Sequence, residues 1–452
     1  LIVSFLIFSL SLRMVSALAP SPNKKFKNAP SSQLTFAPME ALSDGLGGLN
    51  VEQKRTFSDV ASGSYNYFEN GDVLLAKVTP CFENGKKAIA TNLTNGAGFA
   101  TSEVFVIRPD IDNLDTCFLN YVFSSEDFRH QAMPSMTGAG GLRRISEDSI
   151  KNYYLKVTDL TTQRRIANFL DRETARIDRL IEKKKRLVEL LGEERSAAIS
   201  SAVTVGLASE TKLVPTTSNY LPQIPSTWRV WRLKHLANIR GGLTLGRTLP
   251  DNVPLFSTPY MRVANVQAGW INFSDVAEVL ASESEIKRYQ LKTGDVLMNE
   301  GGDNDKLGRG AVWDGSIELC LNQNHVFAAR PYDTHYSEWI SLATNARYAR
   351  DFFYLHSNQS TNLASISKTN LGKFPIAIPP FEEMASTMTL LNERLQVFEK
   401  IALATRTSIT RLKEYRSALI TAAVTGQIDV ETYARSGDTD RRIDTLEAEA
   451  ST

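Results

Sequence analysis

Three cysteines in 452 residues (Cys81, Cys117 and Cys320) are odd in number, far apart and free of Cys-x-x-Cys spacing, which excludes a disulfide framework and a zinc site. They read as ordinary, partly buried thiols of a reducing compartment. A dominant charge is missing too. Lys and Arg number 51 against 50 Asp and Glu, so nothing drives the whole chain toward nucleic acid or a membrane, and any nucleic-acid surface must be local. The five histidines form no His-x-x-x-His pair and there is no Gly-x-Ser-x-Gly elbow, which leaves zincin and α/β-hydrolase chemistry without support. The string NGKKA at Asn84 lacks the early Gly and the hydroxyl of a phosphate-binding loop. An amino-methyltransferase would need an Asn-Pro-Pro-aromatic turn, and IPPF at Ile378 has Ile where the amide belongs, so it reads as a strand-to-helix turn. Asp303 and Asp305, in GGDNDKLGRG, read as a turn. The one long apolar run, Leu1–Leu12, is too short for a membrane span and has no basic leader. Residues 1–35 are therefore set aside as an atypical extension or fragment edge, with translation expected to start at Met14.

What the chain does contain is a long internal repeat. RSAAISSAVT, starting at Arg195, returns as RSALITAAVT, starting at Arg416, and the offset of 221 positions holds without a gap back to Ile145 and Ile366. Further upstream GDVLL at Gly71 answers GDVLM at Gly294, and VFVIRP ending at Pro109 answers VFAARP ending at Pro331. The front part of each half alternates short β-branched runs with Gly, Asn, Asp and Pro turns, the pattern of a β-rich globular head. Thr161–Val203 and Glu382–Val424 contain no Pro and only Gly192, the pattern of two long helices of roughly 65 Å each.

Both helices carry a 4,3 spacing. Leu170, Thr174, Ile177, Ile181, Lys184, Val188 and Leu191 correspond to Leu391, Leu395, Phe398, Ala402, Thr405, Ile409 and Leu412. This predicts an intramolecular coiled coil about a pseudo-twofold axis, with Lys184 and Thr405 as one polar layer fixing its register. Small residues in the repeated phrase (Ala197, Ala198, Ala202, Ala418, Ala422, Ala423) suggest two equivalent surfaces open to close approach. The expected fold is α+β: two β-rich heads separated by two long antiparallel helices. Its segments are an extension at 1–35, a first head at 36–158, a helix at 159–205, a Ser/Thr/Pro-rich linker at 206–227, a second head at 228–380, a helix at 381–428 and a mobile polar tail at 429–452.

FENGDVLLAKVTPCFENGKKAIA from Phe68, FATSEVFVIRP from Phe99, LPQIPSTWRVWRLKHLA from Leu221, IAIPPFEEM from Ile376 and the paired endings occur in this order and in duplicate. On these strings the chain from about Leu34 resembles the specificity subunit of a type I restriction-modification system. The resemblance implies that each head is a target recognition domain reading one part of a split, asymmetric site in double-stranded DNA. The helices would set the spacing and dock two modification subunits, which methylate adenine with S-adenosylmethionine, and restriction subunits using ATP and Mg would join. This chain would be non-catalytic, without cofactor, cytoplasmic and without a membrane partner. Base and phosphate contacts need amide, guanidinium and ammonium groups. The candidates are Lys77, Lys86, Lys87, Arg143 and Arg144 in the first head and Arg247, Asn304, Lys306, Arg309 and Lys368 in the second. The second head opens with WRVWRLKHLANIRGG near Trp228, whereas the first has LIVSFLIFSLSLRMV and all five Trp lie in the second half, so the first head is expected to lack its opening strand. The rival readings are a coiled-coil adaptor whose heads bind proteins, a truncated inactive specificity subunit, and a fused restriction-methyltransferase enzyme, which would need a much longer chain.

Overall fold

The computed structural model describes residues 6–9, 15–18, 20–43, 49–138, 141–208, 211–248, 253–302, 306–359 and 364–451. They form two compact units, residues 1–186 with 404–452 and residues 187–403. The helices Leu160–Thr204 and Phe381–Val424 extend the predicted spans by one residue at three of their four ends. The division runs through both helices, so neither is a domain by itself and the linear series of segments gives way to two composite units.

The two units repeat one topology. In the first, an antiparallel sheet has the order Val15–Leu18, Val104–Pro109, Val73–Ala76, Lys87–Ile89. The second has Ala237–Arg240, Val326–Pro331, Val296–Asn299, Gly310–Val312. Beside each lies a smaller sheet containing a parallel pair, Gln33–Ala37 with Ala97–Ala100 and Leu255–Met261 with Leu321–Asn322. The central strands Val73–Ala76 and Val296–Asn299 are buried at every position, which explains the apolar runs Val73–Ala76 and Val296–Met298. Each follows a glycine at positive φ, Gly71 at 94° and Gly294 at 91°, where a side chain would be strained.

The aspartate after that glycine explains why two distant strings recur together. Asp72 is 1% exposed, accepts from the Glu69 N–H at 2.7 Å, and receives Nε and Nη2 of Arg108 at 2.7 and 2.8 Å. Asp295, also 1% exposed, accepts from the Lys292 N–H at 2.8 Å and receives Arg330 at 2.7 and 2.6 Å. GDV supplies a buried carboxylate and the RP strand the planar fork that satisfies both of its oxygens.

Within the first unit Leu170, Ile177 and Ile181 share a core with Leu412, Leu419, Ile420 and Ala423, and Asp178 pairs with Arg416 at 2.8 Å. Within the second, Ala198, Ile199 and Ala202 share a core with Leu391, against which Leu395 and Phe398 pack. In both, the early part of one helix meets the late part of the other, the antiparallel pairing the seam predicted. Val188, Leu191, Ala402 and Ile409 are half-buried. Lys184 turns to Glu447 at 3.1 Å, while Thr405 is buried. Ala198, Ala202 and Ala423 are already enclosed by their own units, and Ala197 and Ala418 remain exposed.

Four expectations change. The first head has its opening strands: Leu6–Ser9 pairs with Tyr154–Val157 as Arg229–Arg232 pairs with Pro375–Ile378, and Val15–Leu18 lies where Ala237–Arg240 lies. Residues 20–35 are not an extension, since Phe26 and Leu34 are core residues beside Phe36 and Tyr67. The linker folds back as paired strands Leu213–Pro215 and Gln223–Pro225, with Leu221 and Ile224 buried in the second unit. The tail forms helices Val430–Ser436 and Asp438–Ser451, because Ile443 and Leu446 reach the first unit's core. Among the described residues the three cysteines are free. Cys117 is exposed, Cys81 is half-buried and Cys320 is buried, which pushes its thiol up to about 12.

Candidate nucleic-acid interface

In the first head, backbone hydrogen bonds gather three separate segments. The Thr79 N–H donates to the Arg143 carbonyl at 2.8 Å and the Ile145 N–H to the Lys77 carbonyl at 2.9 Å, while Thr137 and Arg144 exchange bonds at 3.0 and 2.9 Å. The Thr79 hydroxyl accepts from the Arg143 N–H at 2.8 Å and donates to the Gly141 carbonyl at 3.0 Å, closing the loop. The Ala76 N–H donates to the Lys86 carbonyl at 3.0 Å, which adds the turn after Cys81 to the same edge. The backbone of Lys77, Lys86, Arg143 and Arg144 is thus brought together at one edge of the head. Two carboxylates are interleaved with them: Glu103 takes Arg144 at 2.8 and 2.9 Å and Glu83 takes Arg143 at 3.3 Å. The Arg144 guanidinium holds the Glu103 carboxyl below its ordinary range. The Lys77 ammonium lies 5.1 Å from the Phe105 ring centre.

The second head contains the same element with other side chains. Gly301 and Gly302 pair with Ser365 and Ala364, which in turn pair with Asn358 and Gln359. The Ile366 N–H donates to the Glu300 carbonyl at 2.8 Å, the counterpart of Ile145 to Lys77. The Asn358–Ser365 pair lies at the 221-residue offset from the Thr137–Arg144 bridge. Lys306 and Arg309 border this element, since the Asn299 N–H donates to the Arg309 carbonyl at 3.2 Å and the Arg309 N–H to the Lys306 carbonyl at 3.4 Å. Lys368 is exposed at the start of the helix Lys368–Leu371, just after Ser365. Sequence reasoning missed the exposed amides Asn358 and Gln359. The offset that maps Thr137 and Gly138 onto them was the available signal.

Two candidates leave the set and one lies outside the described residues, Asn304. Lys87 is 2% exposed within its strand, and an ammonium so enclosed does not reach a phosphate. Arg247 is engaged at a helix start: its Nε and Nη2 bond Glu285 at 2.6 and 3.0 Å, and Glu285 also closes the capping box of Ser282. Arg247 pulls the Glu285 carboxyl down to about 2 from its ordinary 4.5. A depressed carboxylate adds stability above its unfolded value and loses it as pH falls through the folded one. Urea unfolding of the second unit between pH 5 and pH 2 should therefore show a loss of stability that Arg247→Met largely removes; equal losses in both forms would refute the linkage. Among the described residues no group of three or more His, Cys, Asp or Glu is placed to hold a metal, and no helix is long and apolar enough to cross a membrane.

Comparison with known proteins finds relatives over most of the chain. The type I restriction modification DNA specificity domain matches residues 50–190. The type I restriction enzyme EcoEI specificity subunit of Escherichia coli is 23% identical over 444 residues, spanning 82% of this chain and 75% of that protein, and the EcoAI specificity subunit of the same organism is 23% identical over 87% and 78%. Over most of its length the chain is similar to type I restriction enzyme specificity subunits. Two solved structures share the fold of this chain at 16% identity. A chain from a study of complex assembly and conformational transition of the type I R-M system superposes with a TM-score of 0.71 over 94% of this chain and 98% of its own. The HsdS subunit from Thermoanaerobacter tengcongensis superposes at 0.52 over 94% and 97%. The domain match encloses Lys77, Lys86, Arg143 and Arg144, so the first-head element lies inside the matched region, and the second-head element is tied to it by the internal repeat.

Proposed function

We propose that this chain is the DNA-recognition component of a type I restriction-modification complex, each head reading one part of a two-part asymmetric site. The observation that carries this reading is the three-segment element present in both heads with unlike side chains. Lys77, Arg143 and Arg144 in one correspond to Glu300, Ala364 and Ser365 in the other, and Thr137 and Gly138 to the amides Asn358 and Gln359. A shared backbone with exchanged polar groups suits a pair of readers for two different sequences, because guanidinium forks select guanine and amides select adenine in the major groove. Glu83 and Glu103 support the same reading, since they hold the arginines in place until phosphates or bases replace them.

The antiparallel helices set the distance between the two parts of the site, which favours a spacing near one turn of B-DNA, about 10 bp. Catalysis belongs to partners: modification subunits carrying S-adenosylmethionine methylate adenine, and restriction subunits using ATP and Mg join them in the cytoplasm. This chain supplies no cofactor site of its own. Mapping adenine methylation across the host genome, with the gene present and deleted, should reveal a two-part motif with a fixed unspecified spacer that vanishes on deletion; an unchanged methylome would count against the reading. Arg143→Ala with Arg144→Ala should weaken binding of the mapped site and flatten its salt dependence, by roughly one to three kcal/mol per lost base contact, while subunit assembly is kept. Unchanged affinity would remove these arginines from the interface.

A further inference from the structure

Each unit has a cleft where its head meets the long helices, and the internal repeat makes the two clefts equivalent. Arg416, Asp178, Ile420 and Ser124 line the one in the first unit, and Arg195, Glu399, Ile199 and Asn345 line the other at the 221-residue offset. What differs is charge. Among its described residues the first cleft has five cations, Lys87, Arg129, Lys185, Lys413 and Arg416, against two carboxylates, Asp178 and Glu182. Among its described residues the second has one cation, Arg195, against Glu338 and Glu399. The scaffold shared by the two units therefore does not account for the basic lining of the first.

That lining is drawn from separate elements. Arg129 comes from the helix Glu126–Ala132, Lys185 from the helix Leu160–Thr204, and Lys413 and Arg416 from the helix Phe381–Val424. Hydroxyls hold these walls together. Arg129 Nη2 donates to the Ser417 hydroxyl at 3.2 Å, Ser417 donates to Glu126 at 2.9 Å, and the Glu126 N–H donates to the Thr421 hydroxyl at 3.0 Å. Both lining carboxylates are engaged, Asp178 by Arg416 at 2.8 Å and Glu182 by Lys185 at 2.6 Å. Counting Glu126 as well, five cations still face three carboxylates. Lys413 is exposed and Arg129 half-buried, so both can reach a molecule in the cleft.

The cleft encloses about 580 Å³, within the size range of small-ligand sites, and the buried side chains of Phe123, Ile181 and Ile420 form an apolar floor. Cations converging over such a floor concentrate anions and make charge-assisted bonds to phosphate. A duplex carries its phosphates on the surface of a wide rod, where one cleft cannot enclose them from several sides. A small phosphorylated molecule can be so enclosed.

We propose that the first unit's cleft binds a small molecule of nucleoside polyphosphate chemistry, its phosphates on Arg129 and Lys413 and its apolar part on the floor, and that the equivalent cleft of the second unit does not. The site is independent of the functional reading above, since neither cleft contains the Thr137–Arg144 or the Asn358–Ser365 element. Under that reading the molecule is an effector rather than a cofactor, because catalysis lies with the partners.

Calorimetric titration of the full chain with ADP and, separately, with pyrophosphate tests this. One ADP per chain is expected, held more tightly than pyrophosphate. Arg129→Ala with Lys413→Ala should weaken it about tenfold or more, and Arg195→Ala should leave it unchanged. Lys413→Glu reverses a charge at an exposed position and should weaken binding too, which keeps the test open if the double variant fails to fold. Absence of binding, binding that survives loss of both cations, or binding weakened by Arg195→Ala would overturn the site. Pyrophosphate held as tightly as ADP would overturn the role of the floor. Displacement of ADP by duplex DNA of any sequence would make the cleft part of a DNA surface and overturn the small-ligand assignment, whereas an unchanged methylome bears on the functional reading alone.

Discussion

Asp295→Ala should destabilise the second unit by about 3 kcal/mol or more, toward the 3–5 kcal/mol typical when one member of a buried ion pair is removed. The carboxylate is 1% exposed and satisfies both the Lys292 N–H and the Arg330 fork, so its loss strands several donors at once. Arg330 is 26% exposed and regains some water, which places the expected loss near the lower end. Asp72→Ala should injure the first unit in the same way through Arg108. Hydrogen exchange read separately over the two sheets would locate each loss. The double variant Asp295→Ala with Arg330→Met should recover part of it, because no uncompensated guanidinium remains. A double variant as unstable as the sum of its parts would show that the two side chains are not energetically coupled.

The second large effect concerns the helix seam. Leu170 and Leu391 occupy equivalent positions and are both 0% exposed, so each truncation to alanine should cost about 2–5 kcal/mol through lost burial and a residual cavity. The two should not cost the same. Leu170 sits in a large core with Phe169, Ile177, Leu412 and Leu419, whose neighbours hold one another in place. Leu391 belongs to a small cluster with Ala198, Ile199 and Ala202, bordered by the half-buried Leu395 and Phe398, which are free to relax into the space. Leu391→Ala is therefore expected at the lower end and Leu170→Ala at the upper. Urea titration with exchange probes on each helix half would check both, and the reverse order would show that local relaxation does not control the difference.

The helices and their seam were legible in the sequence because the information is local: period, absence of Pro, and a repeat that doubles the signal. The Asp72–Arg108 and Asp295–Arg330 pairs were visible only as recurring strings, since the partners are far apart in sequence and meet through strand pairing. The opening strands at Leu6–Ser9 and Val15–Leu18 were missed because a uniformly apolar run has no alternation to mark a strand. The C-terminal helices were missed for the opposite reason. Val430, Tyr433, Ile443 and Leu446 are scattered among acidic and basic residues, and their purpose shows only when Phe169, Leu180 and Tyr415 are in place to receive them. At the candidate interface, basic residues were the visible signal, yet the amides and small residues of Asn358–Ser365 share the same backbone frame. Charge finds one head of such a pair more readily than the other.

The division of the chain into residues 1–186 with 404–452 and residues 187–403 also dictates an order of events during synthesis. Everything the second unit needs has been made by Leu403, whereas the first unit waits for Leu412, Leu419 and Ile420 to complete its core. The later-encoded unit is therefore the first to have its whole sequence synthesised, and until then the N-terminal head lacks Leu412, Leu419 and Ile420 for the core around Leu170 and Ile177. Its completion requires closing a loop that contains the whole of the other unit, an entropic cost that the first unit's core must offset. That waiting period, rather than the finished protein, is where chaperone capture and aggregation would act on this chain.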